Sequence, residues 1–133
     1  SLRRRGRCGG SPMHAIPAIL AASALPIQTP ATKLIPVNYE HHDVASPYRM
    51  RFAIFVRMGD ETFDAIDTVP EQLRKRTLAV RAFDGDAMMI GHELIQGARI
   101  EDAIARLFAD ARTAYLHVHF AAPGCYAARI ERA

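Results

Sequence analysis

The sequence predicts an α+β domain: a small, mostly antiparallel sheet in a ββαββαββ-like order, with two helices packed on one face. Three observations carry this expectation. In "RFAIFVRM", Phe52, Ile54, Val56 and Met58 fall on one side of a two-residue repeat, the spacing of a strand. In "RIEDAIARLFADA", apolar residues fall at 100, 103, 104, 107, 108 and 111, the stripe of an amphipathic helix. Asp84-Gly85 and Pro123-Gly124 are turn signals that separate further alternating runs.

The 133 residues suffice for one ordinary domain, and they divide near Met50. Residues 50–133 hold all six phenylalanines and carry eleven Lys/Arg against twelve acids, a net charge of −1. The positive overall charge of +3 therefore comes from residues 1–49, with six Lys/Arg against two acids, which also contain six of the eight prolines. A single α+β domain is expected over 50–133. Residues 1–49 read as a poorly ordered or disordered arm, because prolines recur every few residues without an apolar period.

Taken in order, 51–58 is a strand, Gly59-Asp60 a turn, and "ETFDAID" (61–67) its returning partner. A short helix follows over about 69–78. Thr68, Pro70 and Glu71 have the spacing of a capping box, and Arg74, Lys75 and Arg76 sit where cations oppose the helix dipole. "LAVRAF", "DGD" and "AMMIGHELI" form a second hairpin. Residues 87–95 stay open between strand and helix, because Gly91 weakens both and Met88-Met89-Ile90 has no period. After the helix at 99–111, "TAYLHVHFA" and "CYAARIE" form the last two strands around Pro123-Gly124.

Before Met50 the chain allows three readings. Arg3, Arg4, Arg5 and Arg7 precede an apolar run that ends in Ala22-Ser23-Ala24, the outline of a cleaved leader at 1–24 and of export. The second reading is the disordered arm. The third places the native start at Met13 or Met50. Without a leader the expected location is cytoplasmic. Ala15–Ile27 is too short and too proline-broken to cross a membrane, so no transmembrane span is expected. Four arginines without interleaved aromatics imply no specific nucleic-acid partner.

The candidate chemistry centres on "YLHVHF". Alternation puts Tyr115, His117 and His119 on one strand face and Leu116, Val118 and Phe120 on the other. The apolar face is expected against the helices. The Tyr/His/His face is expected to meet water or a partner, which makes it a candidate interaction face. Histidines two apart on a strand can also share a metal ion, zinc foremost, given a third ligand. Cys125 and His92 are the candidates, with Glu93 beside His92. His41-His42 lies in the irregular arm and reads as an adventitious metal binder. HExxH is absent, since Gln occupies position 96, and the calcium-loop spacing is incomplete around Asp84 and Asp86.

Residues 50–133 contain no serine and one lysine, Lys75, which excludes a serine nucleophile and disfavours Schiff-base chemistry there. No Gly-rich phosphate loop occurs. Cys8 and Cys125 are too few for a disulfide framework. "HFAAPGCYAARI" and "QGARIEDAIARLFADA" each resemble a piece of HicB-type antitoxins, in the reverse order, and that likeness implies no property here. The expected function is a small non-enzymatic module for protein interaction or self-association as a homo-oligomer, with no cofactor. The alternative is a metal-binding protein or metal-dependent enzyme built on the His117/His119 pair.

Overall fold

The computed structural model describes residues 12–14, 34–57, 64–66 and 68–132. The strands are β1 (Pro12–His14), β2 (Leu34–His42), β3 (Met50–Arg57), β4 (Asp64–Ile66), β5 (Thr77–Phe83), β6 (Met89–Gln96), β7 (Tyr115–Phe120) and β8 (Tyr126–Glu131). Helix α1 (Glu71–Arg74) precedes β5. Helix α2 (Ile100–Phe108) follows a 3-10 turn at Gly97–Arg99. The fold is a mixed α+β domain, as the periodicities indicate. No described helix is long and apolar enough to cross a membrane.

The main sheet runs β4-β1-β8-β7-β5-β6 and all its pairs are antiparallel. Strands β5 to β8 form as the alternation requires. The uncertain stretch 87–95 becomes a strand because β6 pairs along β5, from Thr77 opposite Gln96 to Ala82 opposite Gly91. The Asp-Gly turn is a side-chain-capped loop. The Asp84 Oδ1 accepts from the N–H groups of Asp86 (2.8 Å) and Met88 (3.0 Å), which is turn chemistry that explains the Asp-Gly-Asp run.

One face of this sheet buries Leu78, Val80, Leu116, Val118 and Ile130, each at most 1% exposed, under Ile100 and Ala103 of α2 and Leu73 of α1. Each large side chain so buried stabilises the fold by about 1.5–3 kcal/mol. Phe120 joins them, so Leu116, Val118 and Phe120 face the helices as expected. Helix α2 carries its acids, Glu101 and Asp102, in the first turn, where the dipole favours them.

Three expectations need correction. The partner of β3 is β2, in register from Leu34 opposite Arg57 to Tyr39 opposite Phe52. The "DAI" of the expected return arm pairs with β1 instead. The one-sheet ββαββαββ order fails for this reason: β3 leaves the main sheet and forms a two-stranded ribbon with β2. The division at Met50 thus falls between two paired strands, and β2 lies in the stretch expected to be irregular. Second, α1 is a single turn. It starts after Pro70 with no side-chain cap, and β5 begins at Thr77, inside the expected helix. Third, Pro36 interrupts nothing, because among the described residues β2 pairs with β3 alone and its opposite edge has no ladder to supply. The expected turn at Gly59-Asp60, the leader at 1–24 apart from residues 12–14, the Met13 side chain and Cys8 lie outside the described residues.

The ribbon's apolar side includes Tyr39, Ile54 and Val56, which pack with Tyr126 of β8. The ribbon therefore covers the sheet face opposite the helices, and the sheet lies between two layers.

The 3-10 turn sets how tightly β6 joins α2. Gly97 N–H donates to Arg76 O at 2.7 Å, and a Cβ at Gly97 would lie 1.7 Å from Leu73 O. Relief requires backbone movement on both sides. Gly97→Ala is expected to destabilise by at least about 1–3 kcal/mol, a fall in melting temperature of about 4–8 °C per kcal/mol. Gly85→Ala, whose Cβ meets nothing within 4 Å, should melt with the parent. Equal melting of both variants by calorimetry would reject the close approach.

Candidate functional site

Antiparallel register aligns the site residues in rows across the sheet. His92 of β6 lies opposite Arg81 of β5, Arg81 opposite His117 of β7, and His117 opposite Arg129 of β8. In the next row Ala79 lies opposite His119, and His119 opposite Tyr126. Phe83 lies opposite Tyr115. Side chains in register share a face. Tyr115, His117 and His119 thus share one face with Arg81, Phe83, Arg129 and Tyr126.

This face was expected to be wet, and it is not. His117 and His119 are each 1% exposed and Tyr115 is 8% exposed. The β2–β3 ribbon covers them, so they are not an accessible interaction face. The ribbon also delivers two imidazoles of its own. Adjacent residues on a strand normally point to opposite sides. The β2–β3 register shifts between Tyr39 and His42, and a bulge of this kind re-aims a side chain. As a result both His41 and His42 reach the sheet.

His42 is fully committed. Its Nδ1 lies 2.8 Å from Tyr48 O, an acceptor, so Nδ1 carries the proton. Its Nε2 then accepts from the Tyr115 hydroxyl at 2.6 Å. His119 is half committed. Its Nδ1–H donates to Gly124 O at 3.0 Å, which leaves Nε2 with a free lone pair. Gly124 sits at φ 83° in the Pro-Gly turn, so the same turn that closes the β7–β8 hairpin fixes this tautomer. His41 Nδ1 and His117 Nε2 are buried and have no hydrogen-bond partner.

These last three histidines converge. One ring nitrogen from each of His41, His117 and His119 lies within 4.8 Å of the others. Tyr126 is the surface they gather on. Its ring stacks on His41 (centroids 4.8 Å apart, planes 9° apart) and meets His117 and His119 edge-on at 5.1 and 5.8 Å. Burial pushes the Tyr126 phenol well above the ordinary range, so it stays neutral.

The imidazoles are neutral too. Burial, then the neighbouring His42 and Arg81, lowers the His41 pKa to about 4. Burial, with neighbouring histidines and Arg129, lowers that of His117 to about 2. Burial and Arg81 lower that of His119 to about 3, against the opposing pull of the Gly124 carbonyl. A neutral imidazole with a free lone pair is the form that binds metal.

The other expected ligands lie elsewhere. Cys125 is buried on the helix side of the sheet with Phe120, and burial raises its thiol pKa, so it is neither beside the histidines nor a reactive thiolate. His92 is exposed, and Arg81 stands between it and His117 in the row. Two strand spacings, about 9–10 Å, separate them. Glu93 is paired to Arg106 of α2 at 2.7 Å. The third converging nitrogen is that of His41, which the sequence analysis places in an irregular arm as an adventitious metal binder. The readable signal was alternation over 35–41, where Ile35, Val37, Tyr39 and His41 share a side.

The chain belongs to the family described as Protein of unknown function (DUF1203), whose model matches residues 22–132. That match takes in the ribbon and the main sheet from β5 to β8, and with them all three converging histidines. No curated protein and no solved structure matches the chain.

The pKa directions fix a pH dependence for the metal-free protein. The folded histidines titrate near 4, 2 and 3, below the unfolded value of about 6.5. Between those values the unfolded chain binds protons that the folded chain refuses. Stability is therefore full above about pH 6.5 and is lost as pH falls toward 4, with a slope of up to about 1.4 kcal/mol per pH unit for each histidine. Urea unfolding of chelator-treated protein between about pH 7.5 and 4.5 should show a falling midpoint, and His117→Gln should flatten the slope. A midpoint indifferent to pH would contradict the burial of neutral imidazoles.

Proposed function

We propose that the protein is a metal-binding protein that holds a divalent transition ion, zinc by donor type, on His41, His117 and His119. One observation carries this reading: three neutral imidazole nitrogens converge within 4.8 Å, while His41 Nδ1 and His117 Nε2 are buried without a partner. An unsatisfied buried polar atom costs about 1–3 kcal/mol. Two of them consume a large share of a domain's net stability of about 5–15 kcal/mol. A bound ion converts both costs into bonds. Zinc sites in peptides contribute about 10–16 kcal/mol, more than enough to outweigh them.

The geometry is open by a small margin. Zinc–nitrogen bonds of about 2.0–2.1 Å place tetrahedral ligand nitrogens about 3.4 Å apart, so metal entry draws the three rings inward. Among the described residues no fourth donor joins the set. Three nitrogen ligands with a free position is the pattern of catalytic rather than structural zinc sites. Three neutral ligands leave both charges on the ion, which favours Lewis-acid chemistry and an acidic bound water. The alternative of an interaction module loses its support on the Tyr115/His117/His119 face and rests on a different surface, the outer strand β6, where Leu94 is 70% exposed.

Metal analysis of protein purified without a His-tag tests the reading. One zinc or equivalent ion per chain is expected, with a melting temperature that rises on zinc addition. Saturation at a hundredfold over Kd adds about 2.7 kcal/mol. His41→Ala, His117→Ala and His119→Ala should each weaken zinc binding at least tenfold, while His92→Ala and Cys125→Ala should not. Absence of bound metal, together with a melting temperature that excess zinc does not move, would end the proposal.

A further inference from the structure

Most of the described arginines around this sheet have a carboxylate or carbonyl partner; Arg76, beside α1, and Arg81 do not. Arg74 pairs with Glu101, Arg99 with Asp102, Arg106 with Glu93 and Arg112 with Asp110. Arg49 and Arg51 share Glu40. Arg132 donates to the carbonyls of Phe108 and Thr113. Arg129 pairs with Glu131 at 2.5 Å and lies over the Tyr115 ring at 3.8 Å. Arg81 is half-buried, and among the described residues it has no carboxylate or carbonyl partner within bonding distance. Desolvation alone lowers its pKa.

Its position is informative. Arg81 lies opposite His117 on one side and opposite the exposed His92 on the other. It therefore stands at the rim of the cover, where the sealed face of β7 gives way to the open face of β6. Its charge acts on His41 and His119, two of the three converging imidazoles. No carboxylate among the described residues offsets it.

Resting on the metal reading above, we infer that Arg81 is the anion-recognition group of this site: a ligand carrying an oxyanion, a carboxylate or a phosphate, binds with one oxygen at the open metal position and is held by the Arg81 guanidinium. Charge and register both favour such a ligand. A dication on three neutral imidazoles beside an unpaired guanidinium places three positive charges in a half-sealed space. One anion offsets both centres at once. A planar guanidinium matches two oxygens of a carboxylate or phosphate and forms two parallel hydrogen bonds. The approach is from the β6 side, where His92 and Leu94 leave the face uncovered.

The test uses the full chain loaded with cobalt as a spectroscopic substitute for zinc. Acetate and inorganic phosphate are titrated separately while the visible cobalt bands are recorded, and the two arms distinguish which oxyanion the site prefers. The wild type should show a saturable spectral change with at least one of the two. Arg81→Gln should weaken that anion at least tenfold while binding cobalt no more weakly than the wild type, since removing a nearby positive charge favours the cation. Arg81→Lys keeps the charge but loses the fork and should fall between them. Arg99→Gln, at a distant exposed pair, should match the wild type. Equal anion affinity in wild type and Arg81→Gln overturns the inference and leaves the metal site standing. An anion response absent from the wild type does the same. Failure of the wild type to bind cobalt or zinc overturns both. If Arg81→Gln does not fold, as judged by its circular dichroism melt, the Arg81→Lys titration decides alone, and unchanged affinity there overturns the inference.

Discussion

The structure depends on one constraint, the burial of a layer of imidazoles and phenols between the main sheet and the β2–β3 ribbon. Sheets of this size usually leave one face to water. Here that face carries Tyr115, His117, His119 and Tyr126, and the ribbon closes over it with Tyr39, His41, His42 and Ile54. The layer is aromatic enough to pack and polar enough to demand partners. His42, Tyr115 and Tyr48 meet that demand among themselves. His41 Nδ1 and His117 Nε2 do not find partners, and the difference separates the satisfied part of the layer from the part left with unpaired buried nitrogens.

Much of the fold was legible because alternation and the 3.6 period are local signals. β5 to β8 and α2 follow from them, and so does the burial of Leu116, Val118 and Phe120 under the helices. Alternation also showed that Tyr115, His117 and His119 share a side. It could not show whether that side is wet, because the answer lies in a ribbon whose pairing is non-local. Met50–Arg57 carries a strand pattern that does not name its partner, and the nearest run, Asp64–Ile66, was the wrong one. The proline spacing of residues 26–47 argued for an irregular arm. Proline is nevertheless compatible with an outer strand, and Pro36 occupies one.

The candidate site was half legible for a related reason. The HxH pair stood out, but the sequence pointed to Cys125 and His92 as its third candidate, not to the histidine that converges on it. Cys125 follows a turn whose length sets its face, and the bulge between Val118 and His119 makes that face unreadable from spacing alone. His92 shares the face but lies two strands away. His41 enters because of another bulge, in β2, which no residue type announces. Bulges also explain why two neighbouring histidines, His41 and His42, perform different tasks: one accepts a tyrosine hydroxyl and the other presents an unpaired nitrogen.

The three converging nitrogens come from distant parts of the chain, one from β2 and two from β7. Without an ion, the ribbon is tied to the sheet by the His42–Tyr115 bond, by the Ser46 hydroxyl donating to Ala87 O, and by the packing of Ile54 and Tyr39 on Tyr126. The rings of His41 on Tyr126 and of His42 and Tyr48 on Phe83 add to those ties, and two buried ring nitrogens without partners oppose them. An ion shared by His41, His117 and His119 would reverse that balance and act as a crosslink across about seventy-five residues of sequence, the kind of closure whose entropic cost rises only slowly with loop length. Under that proposal, ion binding and ribbon docking would be one equilibrium: an ion on the three imidazoles would fasten the cover, and lifting the cover would expose the imidazoles to protonation.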